Sequence, residues 1–198
     1  MNWIVFIIFA YVALAMDRGF DLLLAIDGVG PCFSLVLAVY VALKARPATV
    51  PWALLMVGLF QDLSQAYNIG PDSDLLLIGP YCLGYLAGGV VGVQMRGLVA
   101  RDSPISLGVA VVVVGAFVHL VCVGLLTLRG SSIVNVEPII DWSAANELLR
   151  RFFIILYSAV VAILAGAILI RSGPLWGFSV SKGHMRRARR LFVGSGKK

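Results

Sequence analysis

Long apolar runs, separated by short groups of charged residues, glycine and proline, fill most of the chain. A membrane-spanning helix needs about 20 residues with few or no charges. The pattern predicts six helical spans: residues 3–16 with an irregular or tilted extension to 26, then 30–43, 51–66, 75–94, 105–128 and 147–170. We therefore expect an all-α integral membrane protein, a bundle of six transmembrane helices followed by a tail at 171–198.

Prolines mark where several predicted spans begin. Pro31 opens the second span, Pro51 opens the third, and Pro80 lies near the start of the fourth. Proline suits the first turn of a helix, because the N–H it lacks would have no partner there. Ser143 is placed to cap the helix that continues into the sixth span.

The composition supports a membrane protein and argues against a soluble enzyme. The chain is 60% hydrophobic and 13% charged, with a mean hydropathy of +0.96, so it has too few charges to cover a water-soluble globule. It contains no G-x-S-x-G, no H-E-x-x-H and no phosphate-binding loop of the G-x-x-x-x-G-K type. We expect no catalytic activity and no cofactor. The net charge of +6 does not point to nucleic acid, since the basic residues flank apolar spans.

The distribution of basic residues predicts the orientation. If the amino terminus is cytoplasmic, only Arg18, Arg129, Arg150 and Arg151 of the 16 basic residues lie outside, which leaves 12 inside. A bias of this kind sets membrane topology and predicts that both termini are cytoplasmic. Arg150 and Arg151 are expected to reach the lipid headgroups, with Glu147 paired to Arg151 at the favourable four-residue spacing.

The third span ends in polar residues, chiefly Asp62, with Gln61, Ser64 and Gln65 around it. An ionisable group at hydrocarbon depth costs at least ~2.5–3.5 kcal/mol by insertion scales, so it usually faces protein or water. Two interpretations stay open. The carboxylate either reaches the outer interface from a helix end, or it is buried and serves helix pairing or partner docking.

Glycines recur every fourth residue along the fourth span, at Gly84, Gly88 and Gly92. This spacing places three positions without side chains on one helix face, where another helix approaches closely. We expect packing within one bundle. The alternative is the seam of a homodimer.

Cysteine and histidine do not form a recognisable metal site in the sequence. Cys32, Cys82 and Cys122 each fall inside an apolar run and are interpreted as packing residues. His119 lies midway along the fifth span, where a neutral imidazole bonded to a neighbouring helix is favoured over a proton relay or a metal ligand.

The tail combines basic with apolar residues. Its basic cluster is Arg186, Arg187, Arg189 and Arg190, and Trp176 and Phe178 are among the apolar residues nearby. Such a segment suits the membrane surface, where each basic residue gains ~1 kcal/mol near anionic lipid. Simple topological anchoring is the favoured interpretation, and a cytoplasmic protein partner is the alternative.

Two short motifs resemble the MreD family of bacterial rod shape-determining membrane proteins. They are Gly58-Leu-Phe-Gln-Asp62-Leu-Ser and Gly84-Tyr-Leu-Ala-Gly88, separated by a Gly-Pro turn, and the stretch from Gly30 and Pro31 also resembles that family's second span. The resemblance covers about residues 28–101, roughly half of the chain. It points to Asp62, Gly84 and Gly88 as structural or docking positions.

The resemblance implies a multi-pass protein of the bacterial cytoplasmic (inner) membrane that belongs to the cell-elongation machinery and is not an enzyme. Its implied partners are the bitopic protein MreC, the actin-like MreB, RodA and a penicillin-binding transpeptidase that build peptidoglycan. The family is also similar in fold to the substrate-binding components of energy-coupling-factor transporters. A small-molecule binding component of a vitamin uptake system is therefore the alternative function.

Overall fold

The computed structural model describes residues 1–19, 23, 25, 29–70, 73–97, 103–129 and 143–177. Within them lie six α-helices, each over one of the predicted apolar runs. Their bounds are α1 Trp3–Gly19, α2 Phe33–Lys44, α3 Val50–Ser64, α4 Pro80–Met95, α5 Pro104–Arg129 and α6 Ala144–Arg171. Short 3-10 turns, Pro47–Thr49 and Gly173–Trp176, precede α3 and follow α6. The described chain is therefore largely helical, as the sequence predicts.

The main departure from the predicted bounds lies between α3 and α4. Here β1 (Ala66–Gly70) pairs antiparallel with β2 (Ser73–Leu76), with an irregular register near Gly70. Helix α4 consequently begins at Pro80 and not at residue 75. Residues 77–79 connect β2 to α4, and Pro80 begins the helix because its fixed backbone angle suits the first turn.

The starts of α2 and α6 also differ in detail from the sequence prediction. Helix α2 begins at Phe33, two residues after Pro31, with Cys32 at the N-cap position. Ser143 occupies the N-cap position of α6, but its hydroxyl makes no capping hydrogen bond there. Its backbone carbonyl instead accepts the N–H of Glu147 at 3.0 Å. The proposed extension of the first span beyond Gly19 lies mostly outside the described residues.

Helix α2 forms the centre of the bundle and contacts each of the other five helices. Every residue from Ser34 to Ala42 is buried, which covers all faces of the helix. A helix that is apolar all round is typical of a buried position. Helices α3, α4, α5 and α6 pack in sequence order around it, and α1 packs directly on α2. Its 12 residues extend only about 18 Å.

The outer surface of the bundle is apolar. Side chains exposed by more than half of their area include Ile4 and Tyr11 on α1, Leu120 on α5, and Leu164 and Ile168 on α6. Two helices, Pro104–Arg129 and Ala144–Arg171, are long and apolar enough to cross a membrane. Contiguous exposed apolar surface of this kind is typical of a protein that contacts lipid or other proteins.

The two ends of the described chain meet at one end of the bundle. The backbone N–H of Asn2 donates to the carbonyl of Trp176 at 2.9 Å. The Trp176 ring is fully buried, packed against Phe9 and Tyr40. The expectation that Trp176 serves as an interfacial residue of the tail is therefore wrong, because the turn after α6 folds it back into the core. Residues 178–198, with the four clustered arginines, lie outside the described residues.

Candidate functional site

Asp62 is buried and caps the start of α4. Its side chain is 1% exposed. Oδ1 accepts the backbone N–H of Tyr81 at 2.9 Å, and Oδ2 accepts those of Gly79 at 2.8 Å and Cys82 at 3.1 Å. The first N–H groups of a helix have no partner within it, and they attract negative charge. Of the two interpretations left open by the sequence, the structure therefore supports burial and helix pairing.

Two glycines bring the ends of α3 and α4 close enough for this contact. Gly58 lies one turn before Asp62 on the same face, and a Cβ added there would lie only 2.7 Å from Cα of Cys82. Gly79 has a φ of +137°, a region that L side chains rarely adopt. The Gly79 N–H donates to the carboxylate, so both glycines lie at the contact between Asp62 and the start of α4.

Asp17 plays the same part for α2, a role that the sequence interpretation missed. One carboxylate oxygen accepts the backbone N–H of Phe33, and the other accepts that of Ser34 at 3.2 Å. Asp17 and Asp62 thus each lie near the end of an odd-numbered helix and cap the next helix. The sequence carries a signal of this arrangement, since each aspartate precedes a Gly-Pro pair, Gly30-Pro31 or Gly79-Pro80.

A chain of polar side chains links the two capped helix starts. Ser34 Oγ donates to Oε1 of Gln61 at 3.4 Å and lies 3.4 Å from the Tyr85 hydroxyl and 3.2 Å from the Cys32 thiol. Cys32 also donates its backbone N–H to Ser158 Oγ on α6 at 2.8 Å. Gln61, which the sequence singled out together with Asp62, therefore lies in a buried polar layer beside the start of α2, and Pro31 and Gln61 border the same cavity.

The glycine ladder lies on a face of α4 that points into the same bundle. Added Cβ atoms would lie 2.8 Å from the Val118 carbonyl at Gly84 and 2.5 Å from Val118 Cγ2 at Gly88. At Gly92 the added atom would lie 2.9 Å from Ala42 Cβ of α2. The ladder therefore lets α4 pack closely on α5 and α2. This face is filled within one chain, so it is not open to a second copy.

Arg151 is buried at 4% exposure, contrary to the expectation that it reaches lipid headgroups. Its Nε donates to Glu147 Oε1 at 2.8 Å, and its guanidinium lies 5.3 Å from the ring centre of Tyr81. Its third contact, 3.1 Å from Nη1 to Nδ1 of His119, joins α6 to α5. The register of α6 turns Arg151 inward while Arg150 remains 57% exposed. His119 is thus bonded to a neighbouring helix, in agreement with the favoured interpretation.

A small polar cavity of about 90 Å³ lies beside this layer. Its walls come from α1, α3, α4, α5, α6 and the start of α2, and include Asp17, Arg18, Gln61, Tyr81, His119 and Arg150. No group of three or more His, Cys, Asp and Glu residues within the described ranges could hold a metal ion. Cys32 and Cys122 serve as hydrogen-bond donors and packing groups, with Cys122 Sγ donating to the Pro80 carbonyl at 3.1 Å.

A second, apolar groove lies on the outside of the bundle between α3 and α4, near the end where the chain ends meet. Its volume is about 360 Å³. The floor is Gly89, against Leu54, and the walls include Val50, Val90 and Val93.

No protein-family model matches the chain, and neither a curated protein nor a solved structure shows significant similarity to it.

Proposed function

We propose that this protein is a non-enzymatic membrane scaffold of the bacterial cell-elongation machinery that holds a bitopic, MreC-like partner. The observation that carries the proposal is that the buried polar side chains bind other parts of the same bundle. Asp62 and Asp17 cap neighbouring helices, and Arg151 pairs with Glu147, so the polar side chains rigidify the bundle from within. The apolar outer surface of the bundle is then available to a partner, because helices that lie in lipid associate through close packing.

The positions that carry the resemblance to the MreD family support this proposal. Gly58 and Asp62 fix α3 to α4, and Gly84 and Gly88 fix α4 to α5. We propose that all six helices lie in the cytoplasmic membrane with both chain ends on the cytoplasmic side. The contact between Asn2 and Trp176 supports an even number of crossings. Lys44 and Arg171 are the last residues of α2 and α6, which end on that side, and Arg46 follows α2.

We expect the partner's single helix to dock in the groove between α3 and α4. The groove has a volume of about 360 Å³ and is lined mostly by apolar side chains, and helices in membranes associate by packing on such surfaces. The partner's helix would fill the space between Val50 and Val90. The actin-like MreB, RodA and the transpeptidase would then be reached through this partner or through the basic tail.

The small-molecule uptake function is the second candidate, because polar groups converge on a cavity at the end proposed to face outward. That cavity has a volume of about 90 Å³. Pockets that hold drug-sized ligands have volumes of about 300–1,000 Å³. The cavity formed by the described residues is smaller than this range, which favours the scaffold function.

The test is depletion of the protein in a rod-shaped host, followed by complementation with groove variants. We expect depleted cells to become round while vitamin uptake stays normal. Val90→Trp should fail to restore rods and should lose co-purification with the bitopic partner. Val109→Trp, a matched change on the exposed side of α5 outside the groove, should restore both. A vitamin requirement at normal cell shape would instead favour the uptake function.

A further inference from the structure

The apolar groove between α3 and α4 runs along both helices. Its lining residues extend from Pro47 to Leu54 on α3 and from Leu86 to Gln94 on α4. The stretch of α4 alone corresponds to about 12 Å of helix. The groove volume of about 360 Å³ lies within the range of about 300–1,000 Å³ that is typical of pockets for small ligands. An elongated, apolar space of this size suits a hydrocarbon chain.

The groove becomes polar where it reaches the end of the bundle at which the chain ends meet. Pro47 and Gln94 are the lining residues at this end, and Arg46 directly precedes Pro47. Arg46 and Gln94 are both exposed. We call these two residues the groove mouth. An apolar groove thus ends beside a guanidinium and an amide, two groups that donate hydrogen bonds.

The charges of the described residues favour an anion at the groove mouth. Asp17 and Asp62 cap the starts of α2 and α4, and Glu147 lies in the first turn of α6, all at the opposite end of the bundle. The remaining described carboxylate, Asp74, belongs to the hairpin that joins α3 to α4 at that same opposite end. Within the described ranges, therefore, Arg46 has no carboxylate near it.

Exposed tryptophans place the groove mouth at the membrane surface. Trp52, in the first turn of α3, is 66% exposed, and Trp3, at the start of α1 and the same end of the bundle, is 38% exposed. Tryptophan is enriched at the level of the lipid headgroups. The groove would then run from the headgroups into the hydrocarbon.

We propose that the groove binds one anionic phospholipid, with an acyl chain along the apolar lining and the headgroup phosphate at Arg46 and Gln94. A guanidinium pairs with phosphate through two parallel N–H donors. Basic side chains at the cytoplasmic surface attract anionic lipid in particular. The inference rests on the proposed membrane location. It does not require the bitopic partner, whose helix would displace the lipid when it docks.

The experiment is native mass spectrometry of the full-length protein in an uncharged detergent. Phosphatidylglycerol or phosphatidylcholine with the same acyl chains is titrated, and the occupancy by the first bound lipid is measured. All proteins carry glutamine in place of the four clustered arginines of the tail, so that lipid held there does not contribute. We expect saturable binding of one phosphatidylglycerol, at least about fivefold tighter than phosphatidylcholine.

Two pairs of variants locate the lipid. Arg46→Gln should weaken phosphatidylglycerol binding about fivefold. Arg171→Gln removes an exposed arginine at the same end of the bundle, away from the groove, and should have no effect. Val90→Trp fills the groove and should weaken the binding of both lipids. Val109→Trp, at a similarly exposed position on α5, should leave both unchanged.

Three results would overturn the site: equal affinities for the two lipids, equal effects of Arg46→Gln and Arg171→Gln, or undiminished binding by Val90→Trp. Thermal unfolding in the same detergent verifies the fold, and Val90→Phe replaces the tryptophan variant if that variant unfolds at a lower temperature. The partner is absent from this experiment, so a negative result would leave the scaffold proposal standing. Normal lipid binding without an effect of depletion on cell shape would count against the scaffold alone.

Discussion

Oδ1 of Asp62 accepts the backbone N–H of Tyr81 at 2.9 Å, which ties the last turn of α3 to the first turn of α4. The next N–H along the helix, that of Cys82, is bound by the other oxygen of the same carboxylate. Asp62 therefore fixes where α4 begins, and with it the position of the glycine ladder against α5.

Asp62→Leu should destabilise the protein by about 3 kcal/mol, because it removes a charged cap and leaves buried N–H groups without an acceptor. Asp62→Asn should be tolerated in part, since its amide oxygen still accepts from Tyr81. Thermal unfolding in detergent measures the difference, and rod-shape complementation measures its effect on function. Wild-type stability of Asp62→Leu would show that the cap contributes nothing.

Gly88→Leu should separate α4 from α5. A Cβ at Gly88 would already lie 2.5 Å from Val118 Cγ2, and overpacking of this kind typically costs about 1–3 kcal/mol. Gly124→Leu is the matched control, because a Cβ there meets nothing within 4 Å. We expect a lower unfolding temperature and lower yield for Gly88→Leu alone. Equal stability of the two variants would contradict close packing of the ladder.

Arg151→Met should be far more damaging than Arg150→Met. Removal of one partner of a buried ion pair typically costs about 3–5 kcal/mol, and we expect the lower end of that range because Glu147 is partly exposed. Arg150 is mostly exposed, and surface pairs contribute about 0–1 kcal/mol. Thermal unfolding of both variants checks this order. If Arg150→Met unfolded at a lower temperature than Arg151→Met, the interior placement of Arg151 would be wrong.

Single cysteines should report the proposed topology in a background where Cys32, Cys82 and Cys122 are replaced by alanine. Arg46→Cys and Arg171→Cys should be protected from an impermeant maleimide in intact cells and should react after the membrane is opened. Ser143→Cys, at the opposite end of the bundle, should react in intact cells. Reaction of Arg171→Cys from outside would rule out a cytoplasmic end for α6.

The positions of the helices could be predicted because each apolar run is bounded by charge, glycine or proline. Helix α5 differs from its predicted bounds by one residue at each end. The hairpin at 66–76 was not predicted, since its few residues carry no clear alternating pattern. The central place of α2 was also missed. Its uniformly apolar sequence fits a lipid-facing helix as well as a buried one.

Within the site, burial of polar groups was the hardest property to predict. Asp62 stood out because it interrupts an apolar run, and Gln61 stood beside it. Asp17 directly follows the predicted first span at residues 3–16, and no role was predicted for it, although a Gly-Pro pair follows it as one follows Asp62. Arg151 looked like its exposed neighbour Arg150, because only the rotation of α6 against α5 decides which of two adjacent arginines faces inward.

The repeated caps bear on how the chain enters a bilayer. Asp17 and Asp62 can accept backbone N–H groups only after the first turn of the following helix has formed. Until then each carboxylate would sit at the end of an apolar segment without its backbone partners, where a lone charge is unfavourable. In the proposed topology, we expect the smallest unit that inserts stably to be a pair of consecutive helices, α1 with α2 and α3 with α4. A ribosome-bound chain truncated after α3 should then be released from the translocon less readily than one truncated after α4.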